Sequence, residues 1–145
     1  MAIDQFSRSL PMMLYRTLDT VMPRFRKIFN DFDITEQQWR VLRVLWEHDA
    51  VTINRLAELT LIPAPSLVGI VDRLERDERV IRQRSQADRR KVNVVLIAKG
   101  VELEDQVMPL VAAAYAELKQ SVDNTTWEQV LQGLQEISDT AEKGV

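Results

Sequence analysis

Apolar residues recur every three or four positions along most of the chain, which is the spacing of a helix with one buried face. The first such segment covers about residues 4–30, and Pro11 and Pro23 lie within it. Each proline removes a backbone donor, so we expect each to kink or split the helix. The apolar positions of this segment are Phe6, Leu10, Leu14, Leu18, Val21, Phe25 and Ile28.

Shorter helices follow, each with a recognisable start. Thr35 and Gln38 have the spacing of a capping box, which predicts a helix that begins there and ends near His48. Thr52 is placed to cap a further helix that runs to about Thr60. The residues that this further helix is expected to bury are Ile53, Leu56 and Leu59.

Pro63 and Pro65 predict the start of the next helix, because proline is tolerated in a first helical turn. We expect this helix to run to about Asp77. Its core-facing stripe is Leu67, Ile70, Val71 and Leu74. The residues on its opposite face are Ser66, Gly69, Arg73 and Arg76.

The period then changes to that of β-structure. Residues 80–84 and the β-branched run 91–97 predict two strands, and the polar residues 85–90 connect them as a hairpin. Because an isolated hairpin is marginally stable, it must pack against the helices.

Two more helices are predicted at the end of the chain. One covers about residues 98–120 with Pro109 as a bend, and the last begins at a capping box in residues 125–128. The apolar positions of the first are Leu103, Val107, Leu110, Ala114 and Leu118. The last helix is expected to bury Trp127, Leu131, Leu134 and Ile137.

This order of elements differs from that of an α/β enzyme. It predicts a mainly α fold with a small β-hairpin, in which residues 34–98 form a winged helix-turn-helix. In that motif the second helix of the pair enters the major groove of DNA, and the hairpin flanks it. The length of 145 residues fits a single domain.

Composition excludes several kinds of site. The chain has no cysteine and one histidine, which excludes disulfides, thiolate catalysis, zinc–thiolate centres and His-rich metal sites. It has neither a signal-peptide pattern nor a run of about 18 uncharged apolar residues. We therefore expect a soluble cytoplasmic protein with no cofactor and no membrane partner.

Charge is distributed unevenly along the chain. Residues 52–99 carry ten Lys/Arg against six Asp/Glu, whereas residues 100–145 carry two against nine. The cationic residues concentrate between positions 79 and 91, where Asp88 is the one acidic residue. This segment coincides with the predicted hairpin, which favours contact with double-stranded DNA over a merely solvated loop.

The hairpin sequence Asp88-Arg89-Arg90-Lys91, followed by Val94, Leu96 and Gly100, resembles the wing signature of the MarR family of transcriptional regulators. Residues 74–77 with Val80 and Arg82 resemble the end of that family's recognition helix. Residues 34–45 and 65–77 are similar to the branch that represses homoprotocatechuate degradation. The resemblance covers nearly the whole chain.

Three positions depart from the family pattern. Glu78 stands where glycine is usual, which predicts a strained left-handed turn at the end of the recognition helix. Ile97 replaces the usual threonine before the fifth helix, so another group must cap that helix. Gly69 stands where a larger polar residue is common, so fewer base contacts are expected from this position.

The resemblance implies a role for each residue of the wing. Arg90 would enter the minor groove, where negative potential attracts a guanidinium, and Asp88 would orient it. Arg89 and Lys91 would contact phosphates. The alternative for all of these residues is a solvated loop that does not contact DNA.

Position on the predicted recognition helix indicates further DNA contacts. Ser66 and Arg73 are candidates for base edges or phosphates, although Arg73 could instead pair with Asp77 one turn away. The weaker phosphate candidates are Arg55, Arg76, Arg82 and Arg84.

The family resemblance also implies a homodimer and an effector. Residues 1–33 and 99–145 would be the dimerisation helices, and a two-fold dimer would bind a palindromic operator. A small aromatic acid could bind between these helices and the winged region, with its carboxylate on an arginine. The candidate residues are Met13, Tyr15, Arg16, Trp39 and Arg43, each of which could equally be a core or surface residue.

The sequence thus predicts a ligand-responsive repressor rather than an enzyme. An enzyme would need a nucleophile, a base and an orienting group within reach, and one histidine flanked by acids does not supply them. A winged-helix module that binds protein and a constitutive DNA binder without an effector remain alternatives.

Overall fold

The computed structural model describes residues 5–144, and residue 4, the predicted start of the first helix, lies outside that range. The described residues form a 3-10 turn at Phe6–Arg8, six α-helices and three strands. The helices are α1 (Leu10–Asp31), α2 (Glu36–Glu47), α3 (Ile53–Thr60), α4 (Ala64–Arg76), α5 (Ala98–Lys119) and α6 (Asn124–Lys143). The strands are β1 (Val51–Thr52), β2 (Val80–Arg84) and β3 (Val92–Leu96). The chain divides into two compact units, Met1–Leu110 and Val111–Val145.

Helix α1 corrects the expectation for one of its prolines. Pro11 lies in the first turn of the helix, where its missing N–H would have no intrahelical partner, so it starts α1 instead of breaking it. Pro23 lies inside α1, which nevertheless continues to Asp31 without being split. Phe25 and Phe29, near the C-terminal end, are buried.

The predicted starts of α2 and α3 are confirmed. Thr35 Oγ1 accepts from the Gln38 amide at 3.0 Å, and Gln38 Oε1 accepts from the Thr35 amide at 3.0 Å. Thr52 Oγ1 accepts from the Arg55 amide at 3.2 Å. The expected burial of Leu59 is wrong, since its side chain is 37% exposed. The buried face of this eight-residue helix is instead centred on the i, i+4 pair Leu56 and Thr60.

Helix α4 has the bounds and the buried face that its sequence predicts. The residues that it buries are Leu67, Ile70, Val71 and Leu74. The opposite face of the helix is consequently presented to solvent.

The β-structure has one strand more than the predicted hairpin. Strands β2 and β3 pair antiparallel with Arg82 opposite Val94, and β1 adds to the other edge of β3 with Val51 also opposite Val94. Strand β1 has two residues, too few for alternation to be visible in the sequence. Val51 and Val94 are buried, which attaches the sheet to the helices.

The last two helices differ from prediction in detail. Val111 is buried in α5 and the predicted Leu110 is exposed, because the buried stripe runs from Val107 to Val111 at i+4. Helix α6 is capped by Asp123, whose Oδ1 accepts from the Thr126 amide at 2.7 Å, so the predicted capping box at residues 125–128 is wrong. A carboxylate at the N-cap also interacts favourably with the helix dipole.

No described residue of α6 is buried, so the expected burial of its apolar face is wrong for a single chain. Leu131 is 51% exposed and Ile137 is 48% exposed, while Trp127 and Leu134 are partly covered. Val130 adds a further exposed apolar side chain to the helix.

Candidate nucleic-acid interface

The outward face of α4 carries cationic side chains without acidic partners. Ser66, Arg73 and Arg76 are exposed, and within residues 5–144 no Asp or Glu forms an ion pair with either arginine. The alternative pair between Arg73 and Asp77 is therefore not formed. A Cβ built on Gly69 would meet no atom within 4 Å, so the middle of this face is open. The helix presents two free guanidinium groups beside a gap that another molecule can approach closely.

The tip of the wing holds the arginine that the sequence singled out. Arg90 Nε lies 3.1 Å from Asp88 Oδ1 and Arg90 Nη2 lies 3.4 Å from Asp88 Oδ2, and the Arg90 amide donates to Oδ1 at 3.1 Å. The side chain of Arg90 remains 91% exposed. Hydrogen bonds from Arg90 hold the pKa of the Asp88 carboxyl below its ordinary value. Asp88 thus orients a guanidinium that is still accessible to a ligand, in the arrangement that the wing signature implied.

Hydrogen bonds inside the loop shape the rest of the wing. Arg84 Nη1 donates to the Arg89 carbonyl at 2.7 Å, and the Ser85 amide donates to the Lys91 carbonyl at 2.9 Å. The Asp88 amide donates to Ser85 Oγ at 3.2 Å. Arg89 and Lys91 are exposed, so the loop presents its cations outward.

Arg82 contacts α4 instead of pointing freely to solvent. Its Nη1 lies 2.7 Å from Glu75 Oε2, its Nη2 lies 2.7 Å from Asp72 Oδ1, and Nη2 also donates to the Val68 carbonyl at 3.3 Å. The Arg82 amide donates to Glu75 Oε1 at 3.1 Å. Strand β2 is therefore bound to the helix by one side chain, a role that sequence reasoning missed. The signal was the acidic pair at positions 72 and 75, one turn apart on the helix that precedes a basic strand.

The turn after α4 has the left-handed residue that the sequence predicts. Glu78 has φ 59°, its amide donates to the Glu75 carbonyl, and the Arg79 amide donates to the Leu74 carbonyl, which together form a Schellman motif. Lys99 Nζ lies 2.8 Å from Glu78 Oε2. This ion pair lowers the pKa of Glu78 and raises that of Lys99. The turn thereby connects the end of α4 to the start of α5.

Gly100 is required by a close approach of two backbone segments. A Cβ at this position would lie 2.1 Å from the Arg79 carbonyl oxygen. Because that oxygen belongs to the backbone, no change of side-chain rotamer could remove the clash. Trp46 Nε1 donates to the Gly100 carbonyl at 3.0 Å. The Ile97 carbonyl accepts from the amides of Gly100 and Val101. The wing signature's glycine thus allows α5 to start directly beside the turn that ends α4.

Arg55, the remaining phosphate candidate, is exposed on α3. Its Nη1 lies 2.7 Å from Glu58 Oε2, in an ion pair one turn apart. A pair this exposed contributes little to stability and can exchange for another anion.

The five effector candidates form two separate sets. Arg16 Nη1 lies 3.9 Å from Met13 Sδ and its Nη2 donates to the Ser7 carbonyl, while Tyr15 is exposed beside them on α1. On α2, Arg43 pairs with Glu47 at 2.8 Å. Between residues 5 and 144, no hydrogen bond or ring contact joins the two sets.

Trp39 is the centre of an aromatic cluster. Its ring stacks on Phe29 with centroids 4.7 Å apart and meets Trp46 edge-on at 5.5 Å. In a single chain this side chain therefore serves the packing of α1 against α2.

Metal sites and membrane-spanning helices are both absent from residues 5–144. No group of three or more His, Cys, Asp or Glu side chains is placed to hold a metal ion. In the same part of the chain, no helix is both long and apolar enough to cross a membrane.

Comparison with known proteins gives consistent matches. A profile described as the MarR family matches residues 34–92, from α2 to the start of β3. The homoprotocatechuate degradative operon repressor of Escherichia coli is 32% identical over 129 residues, which cover 89% of this chain and 87% of that protein.

Two solved structures extend the comparison. NadR in complex with 4-hydroxyphenylacetate is 30% identical with a TM-score of 0.79, covering 94% of this chain and 97% of that one. The transcriptional repressor CouR, bound to a 23-mer DNA duplex, has a TM-score of 0.84 at 24% identity, covering 95% of this chain and 98% of that one. At that identity the likeness to CouR shows the shared fold.

Proposed function

The chain belongs to the MarR family of transcriptional regulators, and from that premise we propose that it is a homodimeric repressor released from a palindromic operator by a small aromatic acid. The observation that carries the proposal is the pairing of two features on one surface. The accessible Arg90, oriented by Asp88, lies on a wing that Arg82 binds to Asp72 and Glu75 of α4, the helix whose neighbouring face carries the free arginines. A helix for the major groove and a guanidinium for the minor groove are thus presented by one unit.

Each residue receives a role according to its contacts. Arg90 enters the minor groove, and Arg89, Lys91, Arg76 and Arg55 contact phosphates. Ser66 and Arg73 contact base edges, with the guanidinium of Arg73 suited to guanine O6 and N7. Gly69 allows the groove to approach the helix backbone. Arg84 and Asp88 shape the wing, and Arg82 positions it instead of contacting phosphate.

The homodimer is supported by apolar surface that one chain leaves uncovered. On α1 and the turn before it, Phe6, Leu10, Leu14 and Leu18 are exposed at helical spacing. On α6 the same holds for Val130, Leu131 and Ile137. A two-fold dimer through these faces would place two recognition helices about 34 Å apart, one turn of DNA.

The effector is inferred from the relatives and from the available arginines. NadR binds 4-hydroxyphenylacetate, and the E. coli relative is named for an operon that degrades another aromatic acid. In this chain Arg43 could exchange its exposed partner Glu47 for a carboxylate, and Arg16 has exchangeable neutral acceptors. Met13, Tyr15 and Trp39 would supply the apolar walls. The acid would release DNA only if it binds more tightly to a dimer whose helix spacing does not fit the operator.

The DNA-binding part of the proposal is tested by selecting bound sequences from random duplexes at about 150 mM salt. We expect a palindrome whose half-sites are centred about 10 to 11 base pairs apart. The Arg90→Ala variant should bind this operator at least about tenfold more weakly and show a shallower salt dependence. Arg24→Ala, which removes an exposed arginine from α1, is the matched control and should bind normally. Weak retention without a motif would contradict the proposal and favour a protein-binding module.

The effector part is tested on the operator complex. We expect 4-hydroxyphenylacetate and similar acids to release DNA, whereas the neutral amide of the same compound should not, because it lacks the carboxylate. The variants Arg16→Gln and Arg43→Gln should each be tested for loss of this response at unchanged operator affinity. An operator affinity that no aromatic acid changes at saturation would leave a constitutive DNA binder.

A further inference from the structure

An apolar side chain is exposed on α4, on the side that also carries the acidic residues Asp72 and Glu75. Val68 is 47% exposed, although the helix buries its other large aliphatic side chains. It directly precedes the open position at Gly69, and its neighbour one turn further along the helix is Asp72, which pairs with Arg82. An exposed β-branched residue in a helix interior gains little from packing and has modest helix propensity, so its methyl groups are available to a ligand.

The position of Val68 relative to the wing is held by hydrogen bonding. The Val68 carbonyl accepts from Arg82 Nη2 at 3.3 Å, and the same nitrogen lies 2.7 Å from Asp72 Oδ1, one turn further along the helix. Because a valine side chain in a helix strongly prefers one rotamer, its two methyl groups are held in a defined place as well. Val68 is therefore a rigid apolar projection from the exposed side of α4, next to acidic residues whose charge Arg82 neutralises.

The chemistry of the major groove limits what such a projection can recognise. Base edges in this groove present hydrogen-bond donors and acceptors, and the apolar group among them is the C5-methyl of thymine. We propose that Val68 specifies thymine at one position of each half-site by direct contact with this methyl group. The open space at Gly69 lets the base edge approach closely enough for that contact. The inference rests on the proposed function, since it assumes that α4 enters the groove.

The test removes the methyl group from DNA without changing base pairing. Starting from the selected operator, each thymine is replaced in turn by deoxyuridine at the same place in both half-sites, and affinity is measured for the whole protein. One replacement should weaken binding by about fourfold per half-site, the effect expected for losing one buried methyl group. In the Val68→Ala variant the same replacement should have no further effect, while the other replacements act as in the original protein.

Two further variants serve as controls. Val101→Ala truncates an equally exposed valine on α5 and should keep the original deoxyuridine profile. Val68→Thr retains the shape with one methyl replaced by hydroxyl, and should show a reduced preference for thymine in a repeated selection. Circular dichroism of each variant checks that the fold is intact.

The outcomes separate this inference from the proposed function. If no operator is selected at all, the proposed function fails first. If an operator is selected but Val68→Ala responds to every deoxyuridine as the original protein does, the Val68 contact is refuted and the repressor proposal stands. A half-site without thymine would likewise overturn the inference.

Discussion

Helices α4 and α6 have equally clear apolar faces but very different surroundings. The four stripe residues of α4 are all buried inside the chain, whereas α6 buries none of its described residues. An apolar stripe therefore predicts that a helix face has a partner, and it does not say which molecule supplies the partner. The winged region completes its core within one chain, and the apolar face of α6 stays exposed in it.

The same contrast occurs within α1. Phe25 and Phe29 near its C-terminal end are buried, while Leu14 and Leu18 nearer its start are exposed. Both pairs belong to one periodic stripe in the sequence. The boundary between the core and the proposed dimer surface thus falls inside a single helix.

The largest effect is expected from the core of the winged region. Leu74→Ala should lower the free energy of unfolding by about 2 to 5 kcal/mol, because Leu74 is fully buried and truncation leaves a cavity. Chemical denaturation at fixed protein concentration measures the change. The exposed Leu61 provides a matched control, since Leu61→Ala should cost far less. Equal losses in both variants would contradict the assignment of the core.

The corresponding change on the uncovered face should act on assembly. Leu131→Asp places a charge on the proposed dimer surface and should weaken the dimer by at least about 2 kcal/mol. Sedimentation analysis at several concentrations reports the dissociation. Gln129→Asp adds the same charge at another exposed position of α6 and should leave the dimer intact. A Leu131→Asp protein that still forms the original dimer would exclude α6 from the interface.

Removing the connection between wing and helix should have a smaller effect on stability. Arg82→Ala should cost about 1 to 2 kcal/mol, because several hydrogen bonds are lost but the ion pairs are partly exposed. Arg55→Ala breaks a more exposed pair and should cost less. If Arg82 positions the wing, its loss should weaken operator binding without changing the salt slope. A slope reduced by about one unit would instead make Arg82 a phosphate contact.

Helices α4 and α6 each contain a glycine that can be replaced by alanine. A Cβ at Gly69 or at Gly133 would meet no atom within 4 Å in one chain, so alanine should stabilise either helix by about 0.5 to 1 kcal/mol. Gly69→Ala should also weaken operator binding, since the methyl group fills the gap on the side proposed to face DNA. Gly133→Ala leaves α4 unchanged, and because Gly133 lies beside Val130 and Ile137 on the proposed dimer surface, any change in its operator binding should follow dissociation of the dimer. Thermal unfolding and binding assays on the pair distinguish the two surfaces, and unchanged operator binding by Gly69→Ala would contradict the close approach.

The smallest effect on stability is expected from Asp88→Asn. Because its pKa is lowered in the folded chain, Asp88 contributes stability above its unfolded pKa and loses it only as pH falls through the lower folded value. Operator binding should therefore not depend on this residue's titration between about pH 5 and pH 8. Asparagine should slightly lower the unfolding free energy at neutral pH and reduce operator affinity several-fold, because Arg90 loses the carboxylate that orients it. Tighter binding would show that the negative charge of Asp88 merely repels phosphate.

Helix starts illustrate what local sequence can predict. The capping box at Thr35 and the cap at Thr52 depend on residues three positions apart, and both are confirmed. The start of α6 was misplaced because Asp123 and Thr125 are both good caps, and local rules rank them too closely to choose. Strand β1 was missed because two residues have no visible period, and its pairing with β3 joins positions about forty residues apart.

In the candidate site, too, contacts between near neighbours in sequence were predictable and contacts between distant residues were not. The contact between Asp88 and Arg90 spans two residues, so the wing motif was sufficient to predict it. The contacts of Arg82 are with acceptors seven to fourteen positions earlier, so the basic sequence of the strand predicts a phosphate contact but not this connection to α4.

The sequence alone therefore determined the helices and the basic hairpin, because their periodicity and caps depend on nearby residues, and the family resemblance added the left-handed turn at Glu78. The tertiary structure decided which apolar faces one chain can cover and which cations remain free for DNA. Those outcomes depend on where distant segments meet, as Arg79 meets both Phe32 and the backbone at Gly100. The position of a side chain in the sequence pattern indicates which contacts it can make, whereas the segments that lie near it in the fold determine which contacts it makes.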